Sequence, residues 1–527
     1  MRTDTETLTG TLTGTLTGTL TEQRPPVPFA AGPDRARGRA ADRVSDRAAD
    51  QACGRAAGLV SDKAADQACG RPAGRVSDLP GLPTTIISGG TVVLADRLAP
   101  AHDVLISGGR ILAIEPGRPR TPSASLRVID ATGRYVAPGF IDIHSDYIET
   151  LASPRPSVVL DLRAALYEAD RLLVSYGVTT MYHSLSIYRQ LIFDHKPIRA
   201  FENVERLIEL INRMRAHETT DHLIRHRLHV RLELDAVDRF REVEECLLAD
   251  KVDLVSFMDH TPGQGQYRDL EVFAKTIKSY KGELSDEQVQ ELVDKQQTAA
   301  KLTLEEVRHL AGVARERGIS IASHDDDSVE KLAFMREIGA GISEFPISMA
   351  VAQTARARGM YTLGGAPNVL LGHSHAGNLS AREAITAGAC DILCSDYCPA
   401  ALLRAVFELH YGCGLELPHA FALVSLNPAR AVGIDREFGE LAAGKRADIL
   451  LIRERKSDMG GELIPVVEEV FVEGRSVFHT RYPHYDERDS RGADENRGVD
   501  AGRRADAGRG VDAGRGVDAG RRAACRA

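Results

Sequence analysis

The chain has 527 residues, 43% of them hydrophobic, and a formal charge of −9. That length accommodates a large α/β barrel with a small appended domain, and the acidic balance leaves no basic footprint for nucleic acid. No apolar run approaches the roughly 18–20 residues that span a bilayer, and Thr and Gly interrupt every Leu of the N-terminus before a signal segment can form.

In chain order, the first segment (1–83) is low-complexity. Leu-Thr-Gly-Thr repeats give way to a unit at Arg43–Gly58 that nearly recurs at Leu59–Gly74. These units are too short and too poor in large apolar residues to bury a stacked core, so disorder is expected. The segment 486–527, cycling through Gly-Val-Asp-Ala-Gly-Arg, reads the same way. Between the tails, 84–137 alternates short β-rich runs with Gly-Gly turns (TIISGGTVVL, DVLISGGRILAI), and 439–480 supplies a matching set (GELAAGKRADILL, VEEVFVEGRSV). Two such flanks predict one small β-sheet domain assembled from both chain ends.

Residues 138–438 alternate buried strands with amphipathic helices. Strands are expected at Phe140–His144, Thr179–His183, Leu228–Glu233, Leu254–Asp259, Ile319–Ser323, Ile342–Phe345, Tyr361–Leu363 and Asp391–Ser395. Helices are expected at Asp161–Tyr176, Phe201–His217 and Leu304–Arg317. Eight such repeats predict a closed (β/α)₈ barrel of the TIM type. An open doubly wound sheet lacks support, since no GxGxxG follows the first strand. The eight cysteines carry no framework spacing, and Cys390, Cys394 and Cys398 recur every fourth residue rather than as CxxC pairs. Reduced core cysteines, and so the cytoplasm, are the expectation.

Active sites of such barrels gather at the C-terminal ends of the strands. His144 and Asp146 end the first strand, in GFIDIHSD, and their i, i+2 spacing puts both on one face. Glu233 ends the third, Asp259–His260 the fourth, His324–Asp325 the fifth, Glu344 the sixth and Asp396 the eighth. Each alone reads more readily as a helix cap or a satisfied polar group. Convergence on one mouth changes that, because unpaired like charges there are costly without a cation. Imidazole with carboxylate suits zinc, manganese, iron or nickel, and two ions fit the number of groups. A hydroxide bridging two such ions is a strong nucleophile near neutral pH, and Asp396 is placed to handle its proton. Neither a GxSxG elbow nor a Cys–His signature supports a covalent route.

The flanking strands, GFIDIHSD and the late NPARAVGI…GELAAGKRADILLI resemble the amidohydrolase superfamily, whose sheet domain is likewise built from both termini. A narrower resemblance runs through PRP (Pro154–Pro156), YGVTT, LHVRLEL, MDHTPGQGQ, ASHDD, SEFP, GGAPNVLLGHSHAGN and SDYCPAALL. It points to the diphosphatases of the carbon–phosphorus lyase pathway and covers Thr84 to Phe478, excluding both tails. The resemblance implies hydrolysis of α-D-ribose 1-methylphosphonate 5-triphosphate to the 5-phosphate and pyrophosphate, in phosphonate catabolism. It implies metal-ligand roles for His144, Asp146, Glu233, His260 and His324, with Asp396 as ligand and base. Glu344 falls where the wider superfamily often carries a His, and Glu233 is the expected bridge. A triphosphate needs further cations, and Arg155 within PRP is the first candidate, followed by His375 and the backbone around Gly364–Gly365. His183 and His373 depart from the pattern, and both are candidates for retuned phosphate or sugar contacts, with solvent-facing histidines as the plainer reading. Lys445 and Arg446 read as surface charges, and Lys275, Lys278 and Lys281 as a solvated helix face or a lid.

The alternative reading is an amidohydrolase of a cyclic amide or aminated base, dihydroorotase- or deaminase-like, which barrel and metals alone do not separate from phosphoanhydride hydrolysis. A catalytically silent scaffold fits poorly with His144, Asp146, His324 and Asp396 all being present. The partner expected is a small sugar triphosphate, with neither nucleic acid nor membrane, and a homo-oligomer is left open.

Overall fold

The computed structural model describes residues 84–482 except 156, 190–196, 217–220, 283 and 375–376. The repetitive tails and His375 therefore lie outside the described residues. The architecture is the α/β one expected: an eight-stranded parallel barrel and a mixed sheet.

The mixed sheet comes first and last in the chain. Strands β1 (Thr84–Val93), β2 (Leu98–Ser107), β3 (Arg110–Pro116), β4 (Leu126–Asp130) and β5 (Tyr135–Pro138) precede the barrel. Strands β14 (Ile449–Lys456), β15 (Leu463–Val472) and β16 (Arg475–His479) follow it. β5 joins the two flanks, pairing with β1 on one side and, antiparallel, with β14 on the other, where Ala137 faces Leu450. Ile87, Val92, Val104, Ile106, Val136, Ile449, Leu451 and Phe471 close its own apolar core.

The barrel strands are β6 (Phe140–Ser145), β7 (Val178–Ile187), β8 (Arg225–Glu233), β9 (Leu254–Met258), β10 (Ser320–His324), β11 (Ile342–Glu344), β12 (Tyr361–Gly365) and β13 (Ile392–Cys394), each hydrogen-bonded to the next. β6, β7, β9, β11 and β13 are buried along their whole length, and β6 and β7 bury polar residues among the apolar ones. Crossover helices cover the outside. Leu162–Ser175 starts where the Asp161 carboxylate accepts the amide protons of Arg163 and Ala164, and it buries Leu162, Ala165, Leu166, Ala169 and Leu173 on one stripe. Leu304–Glu316 opens with a capping box of Thr303 and Glu306. Among the described residues no helix is long and apolar enough to cross a membrane.

Strand parity fixes one residue against expectation. On β7 the Ser184 hydroxyl points into the barrel, where it accepts the Ser145 amide proton at 3.0 Å. His183, one residue earlier, must face the helix layer. It is buried there, and its Nε2 lies 2.8 Å from His226 Nδ1, whose ring stacks on it. His226 Nε2 in turn donates to Asp170 at 3.0 Å. His183 is thus part of an interior chain behind the barrel wall and does not line the substrate cavity described below. The Asp170 carboxylate anchors this chain, also accepting the amide protons of Leu223 and Ile224 at 2.8–3.0 Å. Asp170→Ala would strand three buried donors, and a stability loss of about 2–4 kcal/mol is expected in denaturant unfolding, with Asp170→Asn milder because one acceptor survives.

Candidate metal centre and active-site cavity

The strand register sets the site. β13 rejoins β6 through two backbone bonds: the Asp396 amide donates to the His144 carbonyl at 3.1 Å, and the Asp146 amide donates to the Asp396 carbonyl at 2.9 Å. Residues at opposite ends of the barrel sequence thereby become neighbours. Three non-glycine residues at strand ends hold positive φ: Asp325 after β10 (50°), Phe345 after β11 (53°) and Asp396 after β13 (57°). Such backbone turns the chain sharply at the mouth, and their clustering around one cavity is the kind of strain found at functional sites.

That cavity has a volume of about 460 Å³. His144, Asp146, Glu233, His260, His324 and Asp396, six of the residues singled out from the sequence, all line it. Glu344 lies directly behind His144, fully buried. His373 stands in the wall at the exposed rim, its Nδ1 3.0 Å from the Leu371 carbonyl oxygen. Gly364 and Gly365 also line it. Arg155 does not. It is exposed and bridged to Val158. The loop and helices after β9 contribute Gln266, Tyr267 and Gln296, while Lys278 faces outward onto Asp286. Lys445 and Arg446 pair with Glu440 and Glu437 in the region of the mixed sheet, away from the cavity.

Two imidazoles are oriented by carboxylates. His144 Nδ1 lies 2.9 Å from Glu344 Oε1, and His260 Nδ1 lies 2.6 Å from Glu233 Oε2. An ionised carboxylate only accepts, so in each ring Nδ1 carries a proton; burial keeps His144 neutral and leaves its Nε2 lone pair for a ligand, whereas the acids around His260 favour its charged form. Glu233 spends its other oxygen on the His260 amide, also at 2.6 Å, which is the arrangement of an orienting carboxylate more than of a bridging one. Burial opposes charging His260, yet Glu233 and Asp325 outweigh it and hold its pKa up at about 10. Burial would likewise raise Asp325, but His324 and His260 keep it well below the usual carboxylate range. For Asp396 burial wins, and with the charge of Asp146 beside it the carboxyl is pushed up to about 7.

The donors fit a divalent cation. His144, His324 and Glu344 form one group whose ligand atoms lie within 4.8 Å of one another, and His260, His324 and Asp325 form a second. Glu344 Oε2 is buried without a hydrogen-bond partner, and Asp325 Oδ2 lies 3.1 Å from His324 Nδ1 and 3.5 Å from His260 Nε2; a cation among these donors supplies what the Glu344 oxygen lacks. Nitrogen with carboxylate oxygen suits a transition metal better than calcium.

Arg231, Arg199 and Tyr188 escaped the sequence reading, and Asp325, named there at the end of the fifth strand, was assigned no role. Arg231 precedes Glu233 by two on β8, the same spacing that exposed His144 and Asp146, so parity could have found it. Asp325 follows His324 directly, and only its left-handed backbone returns it to the cavity. Arg199 and Tyr188 come from the loop after β7, where no periodicity applies.

The amidohydrolase family matches residues 135–477. The chain is 32% identical over 400 residues, 75% of its length and 100% of the relative's, to alpha-D-ribose 1-methylphosphonate 5-triphosphate diphosphatase of Escherichia coli K12. It is 46% identical to D-hydantoinase of Rhizobium radiobacter over 67 residues, 13% of each chain. Among solved structures, a prolidase complexed with N-methylphosphonate-L-proline superposes at a TM-score of 0.52 with 15% identity, over 75% of this chain and 100% of that one. A D-hydantoinase superposes at 0.51 with 14% identity, over 75% and 95%. At these identities the structural likeness speaks for the fold alone.

If Glu344 orients His144, Glu344→Ala should weaken zinc or manganese binding about 10–100-fold. Competition with a chromophoric chelator measures this, and unchanged affinity would remove Glu344 from the centre.

Proposed function

We infer the reaction from the fact that the chain belongs to the amidohydrolase family and from the charges that share its cavity. The proposed reaction is hydrolysis of the triphosphate of α-D-ribose 1-methylphosphonate 5-triphosphate, leaving the 5-phosphate and releasing pyrophosphate. The full-length relative that carries this name supports it. The observation that carries it is the guanidinium of Arg231, with no carboxylate at contact among the described residues, in the same wall as the metal-ligand groups and beside Arg199, whose charge Glu149 meets. A neutral cyclic amide has no charge for such groups to meet and dihydroorotate has one carboxylate, whereas a triphosphate has several charges. The hydantoinase likeness spans a short stretch and adds little weight to the cyclic-amide reading.

In this reading the residues to hold metal are His144, His260, His324 and Asp325, with Asp146, Glu233, Glu344 and Asp396 as further carboxylates of the centre. A bound divalent ion supplies Lewis acidity, making water a competent nucleophile near neutral pH and drawing charge from a phosphoryl oxygen. The chain's own groups do the rest. Asp396, buried and raised to about 7, is basic enough to take the proton as water adds to phosphorus. The bridging P–O bond between the α and β phosphoryl groups breaks, and its electron pair leaves with pyrophosphate. His144 and His260 keep fixed orientations through Glu344 and Glu233.

Protein supplied with a divalent metal is expected to release pyrophosphate from a ribose 5-triphosphate ester. Asp396→Asn should cut turnover by about 10²–10⁴-fold while metal content, measured by elemental analysis, holds. Hydrolysis of dihydroorotate without any phosphoanhydride cleavage would favour the cyclic-amide reading instead.

A further inference from the structure

We propose that Arg231, with the Tyr188 hydroxyl, forms an anion subsite that grips non-bridging oxygens of a polyphosphate chain beside the metal-ligand groups. The identity of the anion rests on the function proposed above. Its negative charge does not.

Arg231 is only 9% exposed, yet it lines the cavity. Its Nη2 donates to His324 Nε2 at 3.0 Å, and its Nε is buried with no partner. Other buried arginines here are matched by acids at contact: Arg199 by Glu149, Arg225 by Asp448 and Glu473, Arg227 by Asp253. Among the described residues no carboxylate oxygen is recorded within ion-pair distance of Arg231, and Asp146 and Glu344 act on it only from farther away. Burying a guanidinium without a contact anion is expensive, and a divalent cation on His324 would add positive charge beside it. An anionic ligand is the simplest way to offset both, and the guanidinium fork matches phosphoryl oxygens bidentately.

Tyr188 completes the subsite. Arg199, held by both oxygens of Glu149 at 2.9–3.0 Å, donates through Nη1 to the Tyr188 oxygen at 3.3 Å. That fixes the phenol and leaves its own O–H to donate into the cavity it lines. Arg199 has its charge met by Glu149, so it serves as a positioning residue, while Arg231 carries a charge with no described carboxylate at contact.

The test is calorimetric titration of inorganic tripolyphosphate into the metal-free full chain, a measurement independent of turnover. Arg231→Gln should weaken binding at least about tenfold, Arg231→Lys less, since charge survives and the fork does not, and Tyr188→Phe a few-fold. With metal restored, Arg231→Gln should raise KM more than it lowers kcat. Wild-type affinity in Arg231→Gln, accompanied by lost metal, would assign Arg231 to holding His324 alone and overturn the subsite. Should Arg231→Gln fail to fold, undiminished binding in both Arg231→Lys and Tyr188→Phe would overturn it equally. Tripolyphosphate binding that depends on Arg231, in a protein that releases no pyrophosphate from any sugar triphosphate, would support the subsite and reject the reaction.

Discussion

Barrel closure rests on the backbone exchange between Asp396 and the pair His144–Asp146, and the site inherits its geometry from that closure. The two bonds put the end of β13 level with the end of β6, although some 250 positions separate them in sequence. Beneath them the barrel is filled with polar groups. The Ser145 hydroxyl donates to the Asp396 carbonyl at 2.8 Å, Ser395 Oγ donates to Ser145 Oγ at 2.8 Å, and the Ser395 amide donates to Asp142 at 3.2 Å. His229 lies in the same layer, 2.9 Å from Ser256 Oγ and held neutral by burial, which lowers its pKa to about 3. A buried polar network specifies one arrangement when its members are satisfied, because any slip leaves them unpaired. The strand-end residues therefore stand on a rigid base.

On that base two opposite deficits meet. Glu344 buries a carboxylate oxygen that nothing fills, and Asp325 packs its own oxygen between His324 and His260, a donor set that calls for a cation. Arg231, bonded to the same His324, buries a charge that no contact carboxylate offsets, which calls for an anion. Adding the cation alone relieves the first deficit and worsens the second. A metal bound together with a phosphoryl group would relieve both, since phosphoryl oxygens can meet a cation and a guanidinium at once. Loading of metal and of substrate should thus reinforce each other, whatever sugar the phosphate is attached to.

The barrel was legible in the sequence because β-rich segments alternate with amphipathic helices, and all eight strands lie where Phe140–His144 through Asp391–Ser395 placed them, with β7 and β8 running longer. The flanking sheet was legible through its β-rich runs and the Gly108–Gly109 turn, whereas Gly89–Gly90, expected as a turn, lies inside β1 at a bulge. The site was readable wherever strand parity and strand ends govern, as for His144 with Asp146. It was not readable where local backbone decides. Asp325 reaches the cavity through positive φ, which periodicity does not encode. Arg155 sits in a loop whose course depends on packing, and its PRP string carries no direction. His183 shows parity working in the other sense, since its neighbour Ser184 takes the inward place. Arg231 obeyed parity yet reads, in isolation, as an outward-facing strand arginine. Its uncompensated burial became visible only once the neighbouring carboxylates had positions.

Fold likeness leaves the chemistry open, because a barrel that superposes on a D-hydantoinase and on a prolidase can host more than one kind of bond cleavage. What varies on such a scaffold is the ring of loops, and here that ring is uneven in charge. The segment after β7 brings Tyr188 and Arg199, β8 adds Arg231, and the helices after β9 add the neutral Gln266, Tyr267 and Gln296. The cations are thus gathered on the β7–β8 side, adjoining Asp146, instead of being spread around the mouth. A substrate with one charged end would be held with that end toward Arg231 and its neutral remainder toward the glutamines, so the direction in which a phosphate chain lies over His324 follows from the charge pattern and not from the barrel.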